Sequence, residues 1–188
     1  MALLTGAEKG VFPISVTPFH DDGAIDLDSM DRLTDYFLGL KVPGLTLLGI
    51  MGEANKLTGE ESLLLVRRVA KRLNGRAKLI VGATQLGYDA FTSFAREAME
   101  AGASGIMIAP PPPLRTEENV ASYFEGLIAK LGADVPLVLQ DYPQNSGVYL
   151  SVATIERLLR AWPSIKILKH EEGSALRKIS RLRKEESS

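Results

Sequence analysis

The sequence lacks cysteine altogether, which excludes disulfide bonds, a thiol nucleophile and a thiolate metal site. Its two histidines, His20 and His170, lie far apart and lack metal-ligand spacing, so no metal site is predicted. The net charge of −1 gives no reason to expect nucleic acid or an anionic membrane as a partner. No apolar run approaches the ~20 residues that span a bilayer, and Met1 to Gly10 does not resemble a signal peptide. A reducing, cytoplasmic compartment is therefore expected.

What the sequence does contain is a regular succession of short apolar runs. Continuous apolar runs of this length are typical of strands buried on both faces of a parallel sheet. Helical patterns with recognisable caps separate the runs; Thr58 and Glu61, for example, have the spacing of a capping box. A last helix is predicted from about Ser174 to Glu186. The six predicted strands are Val11–Thr17, Gly44–Gly49, Lys78–Ala83, Gly105–Ala109, Pro136–Gln140 and Ile165–Lys169.

Alternating strands and helices predict an α/β fold with parallel strands and right-handed crossovers. An open doubly wound sheet and a (β/α)8 TIM barrel both fit this alternation. The even repeat length, without a longer excursion at a switch point, favours the barrel. A barrel needs eight units and typically ~250 residues, whereas about six βα units are present here. We therefore predict a single partial TIM-barrel domain over residues 1–188, as a truncated product or a fragment of a longer chain.

Functional groups in either architecture belong at the carboxyl ends of the strands. The turn after the second predicted strand has two glycines, which let backbone N–H groups approach a carboxylate or phosphate. A βα turn that binds no ligand would show the same two glycines. After the fifth predicted strand, the group Gln140, Asp141 and Tyr142 could move protons, although it also fits a simple polar loop. The residues of the glycine turn are Gly49, Ile50, Met51, Gly52 and Glu53.

Lys169 ends the sixth predicted strand. By strand alternation it shares a face with Ile165 and Ile167. If that face lines a barrel interior, Lys169 lies at its mouth, where partial desolvation favours the neutral amine needed for a Schiff base. A lysine that merely extends into solvent beside Glu171 is the alternative.

Several of these features together resemble one family. They are the opening Ile14–Phe19, the Gly-x-x-Gly-Glu turn at Gly49, the Pro-x-x-x-Gly-Val motif at Pro143 and the strand-end Lys169, in matching order and spacing. From about Gly10 to Leu182 the sequence resembles the dihydrodipicolinate synthase / N-acetylneuraminate lyase family of class I aldolases.

The resemblance implies a TIM barrel whose lysine, here Lys169, forms a Schiff base with pyruvate or another 2-oxo acid. It implies that Gly49 to Glu53 bind the carboxylate of that substrate. The reactions it implies are aldol cleavage, aldol condensation and dehydration of sugar acids, with no metal or organic cofactor. It also implies a homo-oligomer, a dimer or tetramer, for the full-length protein.

Departures from the family pattern concern the proton relay. Ile50 and Met51 replace residues that usually carry hydroxyls, and Gln140 and Asp141 replace the usual tyrosine and asparagine. The amide of Gln140 cannot relay protons at neutral pH. We therefore expect a divergent member in which Gln140 and Asp141 lie beside the reacting carbon, and Asp141 or a substrate group moves protons. The phenol of Tyr142, two residues after Gln140, is a further candidate for the proton relay. The alternative is a non-catalytic 2-oxo-acid-binding or inactive truncated relative.

Overall fold

The computed structural model describes residues 2–173 and 175–185, in which strands and helices alternate along the chain. Every helix in this part of the chain is too short or too polar to cross a membrane. The chain divides into two compact units, residues 1–107 and 108–188. The elements are α1 (Leu27–Gly39), β1 (Gly44–Leu47), α2 (Gly59–Leu73), β2 (Lys78–Gly82), α3 (Tyr88–Glu100), β3 (Gly105–Ile108), α4 (Glu117–Leu131), β4 (Leu137–Asp141), α5 (Pro143–Ser146), α6 (Val152–Ala161), β5 (Ile165–His170) and α7 (Ala175–Glu185).

Parallel pairing joins the strands of the first unit. Gly44 of β1 lies opposite Lys78 of β2, and Ile80 of β2 lies opposite Gly105 of β3. All of β1 and β3 and most of β2 are buried, as the continuous apolar runs predicted. The strand predictions for these three runs are confirmed.

The predicted strand at Val11–Thr17 is wrong in extent. This segment forms a single parallel bridge, between Ile14 and Thr46 of β1, and no ladder. The Ser15 N–H donates to the Thr46 carbonyl at 2.9 Å, and the Thr46 N–H donates to the Pro13 carbonyl at 2.8 Å. Proline has no N–H to donate, so the pairing cannot extend as a regular strand. The part of the chain that the structure describes therefore has five strands where six were predicted.

The helices begin where their caps are encoded. Thr58 caps α2 by accepting the Glu61 N–H at 3.2 Å, and the Glu61 carboxylate accepts the Thr58 N–H at 2.8 Å, which confirms the predicted capping box. Along α2, Arg68 binds Asp31 of α1 through two hydrogen bonds of 2.9 and 2.8 Å. These bonds lower the pKa of Asp31. The ion pair fixes α1 against α2.

Glu8 anchors the N-terminal segment to β2. Its carboxylate accepts hydrogen bonds from Lys78 and from the backbone N–H groups of Thr5 and Gly6, the latter two at 2.9 and 2.8 Å. The Lys78 amine also donates to the Leu3 carbonyl at 3.0 Å. Burial alone would raise the pKa of Glu8, but these hydrogen bonds, that from Lys78 foremost, outweigh it and lower the pKa to about 2.

Close backbone approach makes one glycine of β2 irreplaceable. A Cβ built on Gly82 would lie 2.2 Å from the carbonyl oxygen of Leu48, a distance at which backbone has to move. Gly59, the first residue of α2, has open space around the same position. The absence of a side chain is therefore a packing requirement at Gly82 and not at Gly59.

In the second unit β4 and β5 pair in parallel, which confirms the last two predicted strands. The register runs from Leu137 opposite Ile165 to Asp141 opposite His170, with an irregularity after Leu137. Side chains of α4 and α6 supply fully buried apolar groups, among them Phe124, Leu127, Ile155 and Leu158. The predicted last helix is found as α7; its predicted ends at Ser174 and Glu186 lie outside the described residues.

Candidate active site

The register of β4 and β5 sorts the polar residues at their ends onto two faces. Gln140 lies opposite Lys169, and Asp141 lies opposite His170. Paired residues of parallel strands point to the same face, and successive residues point to opposite faces. Gln140 and Lys169 therefore share one face, while Asp141 and His170 share the other.

On the first face, one carboxylate oxygen joins lysine and glutamine. Oε1 of Glu171 accepts a hydrogen bond from the Lys169 amine at 2.7 Å and another from the Gln140 amide at 2.8 Å. The Lys169 side chain is 26% exposed and that of Glu171 is 34% exposed, whereas Gln140 is buried. The amine is thus held in a defined position and is still accessible to a small molecule.

The backbone of Glu171 is fixed as well. Its N–H donates to the carbonyl of Asp141 at 2.9 Å, which continues the β4–β5 ladder one residue beyond the strand. Glu171 consequently stays in the alternating pattern and falls on the same face as Lys169.

On the second face, a buried ion cluster ties both strands to α7. Oδ2 of Asp141 lies 2.7 Å from Nδ1 of His170 and 2.7 Å from the amine of Lys178. The Lys178 amine also donates to Glu172 at 2.7 Å. The side chains of Asp141, His170 and Lys178 are 0%, 2% and 7% exposed. Because a carboxylate oxygen faces Nδ1, that nitrogen carries the hydrogen.

Asp141, His170 and Glu172 offer ligand atoms that lie within 4.8 Å of one another, a set that could hold a metal ion. The Lys178 ammonium already bridges the two carboxylates, so the positive charge at this position is supplied by the protein. Oδ1 of Asp141 and Nε2 of His170 are buried and have no hydrogen-bond partner within the described chain. The arrangement is that of a structural ion cluster.

The structure brings together two of the three residues that the sequence nominated here. Gln140 and Lys169 meet at Glu171, whereas the Asp141 carboxylate lies on the opposite face, bound to His170 and Lys178. The expected position of Asp141 beside the reacting carbon finds no supporting contact. The sequence pattern does not single out Glu171, His170, Glu172 or Lys178 as site residues. Strand alternation from Lys169 assigns Glu171 to the face of Lys169, and His170 and Glu172 to the opposite face. Lys178 lies on α7, and its contact with Asp141 depends on the packing of that helix against the strands.

The glycine turn of the first unit forms one 3-10 turn. Ile50–Gly52 is helical, with the Gly52 N–H donating to the Gly49 carbonyl and the Glu53 N–H to the Ile50 carbonyl, both at 3.0 Å. Glu53 has a left-handed conformation, with φ 53° and ψ 32°. The hydroxyl of Thr17 donates to the Gly52 carbonyl at 2.7 Å and so holds the end of the turn in place.

Ile50 and Met51 begin this turn, so their backbone N–H groups have no partner within it. Both side chains are exposed, and the Glu53 side chain is engaged by Lys56. Two adjacent amides at the start of a helical turn suit a carboxylate chemically. The predicted role of Gly49 to Glu53 in carboxylate binding remains a prediction that this geometry permits.

Comparisons with known proteins agree with one another. The model of the dihydrodipicolinate synthetase family matches residues 7–188. The 4-hydroxy-tetrahydrodipicolinate synthase of Sorangium cellulosum is 31% identical over 170 residues, which are 90% of this chain and 56% of that protein. The synthase of the same name from Moorella thermoacetica is 33% identical over 159 residues, which are 84% of this chain and 53% of that protein.

A solved structure matches this chain over its whole length. The crystal structure of dihydrodipicolinate synthase from Rhodopseudomonas palustris superimposes with a TM-score of 0.96 and is 43% identical, covering 100% of this chain and 62% of that one. The fold is therefore a partial parallel (β/α)8 barrel, as predicted from the sequence. The chain spans about half the length of the curated relatives it matches.

Proposed function

The chain belongs to the dihydrodipicolinate synthetase family, and we propose that it acts as a lyase that forms a Schiff base between Lys169 and pyruvate or another 2-oxo acid. The observation that carries the proposal is the Lys169 amine, which lies one residue before the end of β5, has a side chain that is 26% exposed and is held at 2.7 Å by Glu171. The relatives are named 4-hydroxy-tetrahydrodipicolinate synthase, members of a lyase family, which supports aldolase-type chemistry.

An amine in this position can form every covalent bond that the reaction needs between protein and substrate. Its attack on the 2-oxo carbon and the loss of water give an iminium, which withdraws electrons from the neighbouring carbon and so makes a carbon–carbon or carbon–oxygen bond there easier to form or break. Aldol cleavage, aldol condensation and dehydration of a sugar acid all use this step. No metal or organic cofactor is required for it. Gln140 contributes a hydrogen-bond donor beside the amine and no proton relay.

As a separate proposal, the glycine turn binds a carboxylate through the backbone N–H groups of Ile50 and Met51. The geometry of the turn supports this, because those two amides have no partner within it and the turn is held by Thr17. The usual hydroxyls are absent, so affinity would rest on the amides alone. Met51→Pro removes one of these N–H groups and should weaken the binding of pyruvate, measured by calorimetry.

Reductive trapping tests the Schiff base directly. The chain is incubated with pyruvate, reduced with borohydride and digested, and mass spectrometry should find the adduct on Lys169. Lys169→Met should abolish the adduct, whereas Lys166→Met, which changes the exposed lysine three residues earlier, should not. If no member of a panel of 2-oxo acids gives an adduct, the proposal fails. Binding of pyruvate without an adduct would instead favour the non-catalytic relative.

Two further expectations concern the oligomeric state of the full-length protein and its cellular compartment. We expect the full-length protein to form a dimer or tetramer and to work in the cytoplasm. Light scattering of that protein tests the first expectation.

A further inference from the structure

We propose that Glu171 is a catalytic residue that takes a proton from the Lys169 ammonium and delivers it to the hydroxyl group that departs as water during formation of the Schiff base. This inference rests on the function proposed above, because it concerns the same amine. It identifies the group that stands in for the proton relay whose usual residues are replaced in this chain.

Contact with the reacting atom is the first argument. Oε1 of Glu171 lies 2.7 Å from Nζ of Lys169, within the hydrogen-bond distance that a general acid or base requires. The Gln140 amide donates to the same oxygen at 2.8 Å, and the Glu171 N–H is bound to the Asp141 carbonyl at 2.9 Å. The carboxylate is therefore oriented toward the amine from two sides.

The other carboxylates at this strand end are committed elsewhere. Asp141 is buried on the opposite face, where it binds His170 and Lys178. Glu172 points to the same Lys178 amine. In the part of the chain that the structure describes, the ion pair of Glu171 is with Lys169. The Glu171 side chain is 34% exposed. It can therefore exchange protons with water after each cycle.

The proton balance of the step closes with these two groups. The Glu171 carboxylate accepts one proton from the Lys169 ammonium, which leaves a neutral amine. The amine attacks the carbonyl carbon of the 2-oxo acid, and a second nitrogen proton moves to the resulting alkoxide, giving a carbinolamine. The Glu171 carboxylic acid then protonates the carbinolamine hydroxyl, which departs as water and leaves the iminium. Glu171 ends as a carboxylate, as it began.

A simple ion pair is the competing interpretation, and an isosteric variant separates the two. Glu171→Gln keeps an oxygen that can accept hydrogen bonds from Lys169 and Gln140, but an amide cannot take up the proton. We expect the rate of adduct formation with pyruvate to fall by roughly 10²- to 10⁴-fold, the usual contribution of a general acid–base group. The rate of exchange of the pyruvate methyl protons with deuterium, followed by NMR, should fall in parallel.

Controls keep the test specific. Glu118→Gln, which makes the same change at an exposed position of α4, should leave both rates unchanged. Glu171→Ala should be slow and should be accelerated by added formate, which can replace a missing carboxylate but cannot repair a misplaced lysine. Circular dichroism verifies the fold of each variant. Should Glu171→Gln not fold, the formate dependence of Glu171→Ala decides.

The outcomes separate this inference from the function on which it rests. If Glu171→Gln traps pyruvate on Lys169 at the rate of the unmodified chain, or if formate has no effect on Glu171→Ala, the role of Glu171 is refuted while the Schiff base stands. If the unmodified chain gives no adduct, both are refuted.

Discussion

Lys178 is the residue whose removal should show how much the buried ion cluster contributes to stability. Its amine lies 2.7 Å from Asp141 and 2.7 Å from Glu172, and its side chain is only 7% exposed. Lys178→Met keeps most of the volume, so the cost of a cavity is small. What remains is the Asp141 carboxylate, fully buried and without its ammonium partner. Breaking such a buried pair costs about 3–5 kcal/mol of unfolding free energy.

The corresponding loss of thermal stability is large enough to measure without ambiguity. In a chain of this size each kcal/mol lowers the melting temperature by about 2–4 °C, so Lys178→Met should melt roughly 6–20 °C lower. Urea denaturation gives the free energy independently. Arg160→Met serves as the control, because Arg160 pairs with Glu156 at 3.2 Å but is 73% exposed. Exposed pairs contribute about 0–1 kcal/mol, so this variant should be nearly neutral.

A double variant tests the physical reason for the loss. Lys178→Met combined with Asp141→Asn removes the uncompensated charge and retains a group that can bind the His170 ring. The pair should therefore be more stable than the sum of the two single changes predicts. If Lys178→Met costs no more than Arg160→Met, or if the two single changes simply add, then the cluster does not stabilise the strand ends and the reasoning is wrong.

Two further predictions concern the first unit. Because the folded-state pKa of Glu8 is lowered from 4.5 to about 2, its pairing with Lys78 stabilises the fold fully above about pH 5 and is lost as the pH falls toward 2; the difference corresponds to about 3 kcal/mol. Glu8→Gln should flatten the decline of unfolding free energy over that range in urea titrations, and an unchanged slope would contradict the assignment. Gly82→Ala forces a Cβ to within 2.2 Å of the Leu48 carbonyl and should cost about 1–3 kcal/mol of unfolding free energy, whereas Gly59→Ala, with open space around it, should be neutral in the same melts.

Local signals explain why most of the fold could be predicted. The capping box at Thr58 involves residues three apart and is found as expected. Strands buried on both faces are encoded as continuous apolar runs, and five of the six runs form strands. The run at Val11–Thr17 is apolar too, but Pro13 removes a donor that the ladder needs, and the segment makes one bridge to Thr46. Its apolar composition predicted neither the lack of pairing nor the exposure of the segment, in which Val11 is 73% and Val16 44% exposed while Ser15 and Thr17 are buried.

The candidate site was harder to predict because it depends on strand alternation and helix docking together. Alternation places Lys169 on one face with its apolar neighbours, whereas adjacency in sequence makes Gln140 and Asp141 look like a single group. Adjacent residues of a strand point to opposite faces, so only Gln140 shares the face of Lys169. The partner that draws Asp141 away is Lys178, which lies on another element and has no sequence signal of its own.

Alternation along residues 169–172 gives one short segment two different tasks. Lys169 and Glu171 lie on one face and contact each other, while His170 and Glu172 lie on the other face and join the cluster around Lys178. His170, between Lys169 and Glu171, and Glu172, which follows them, thus anchor the segment to α7. Buried, charge-compensated contacts hold the backbone on one side, so that the exposed side can present an amine and a carboxylate at 2.7 Å. Under the proposed function, substitutions that preserve this alternation would change the proton-transfer group and leave Lys169 in place.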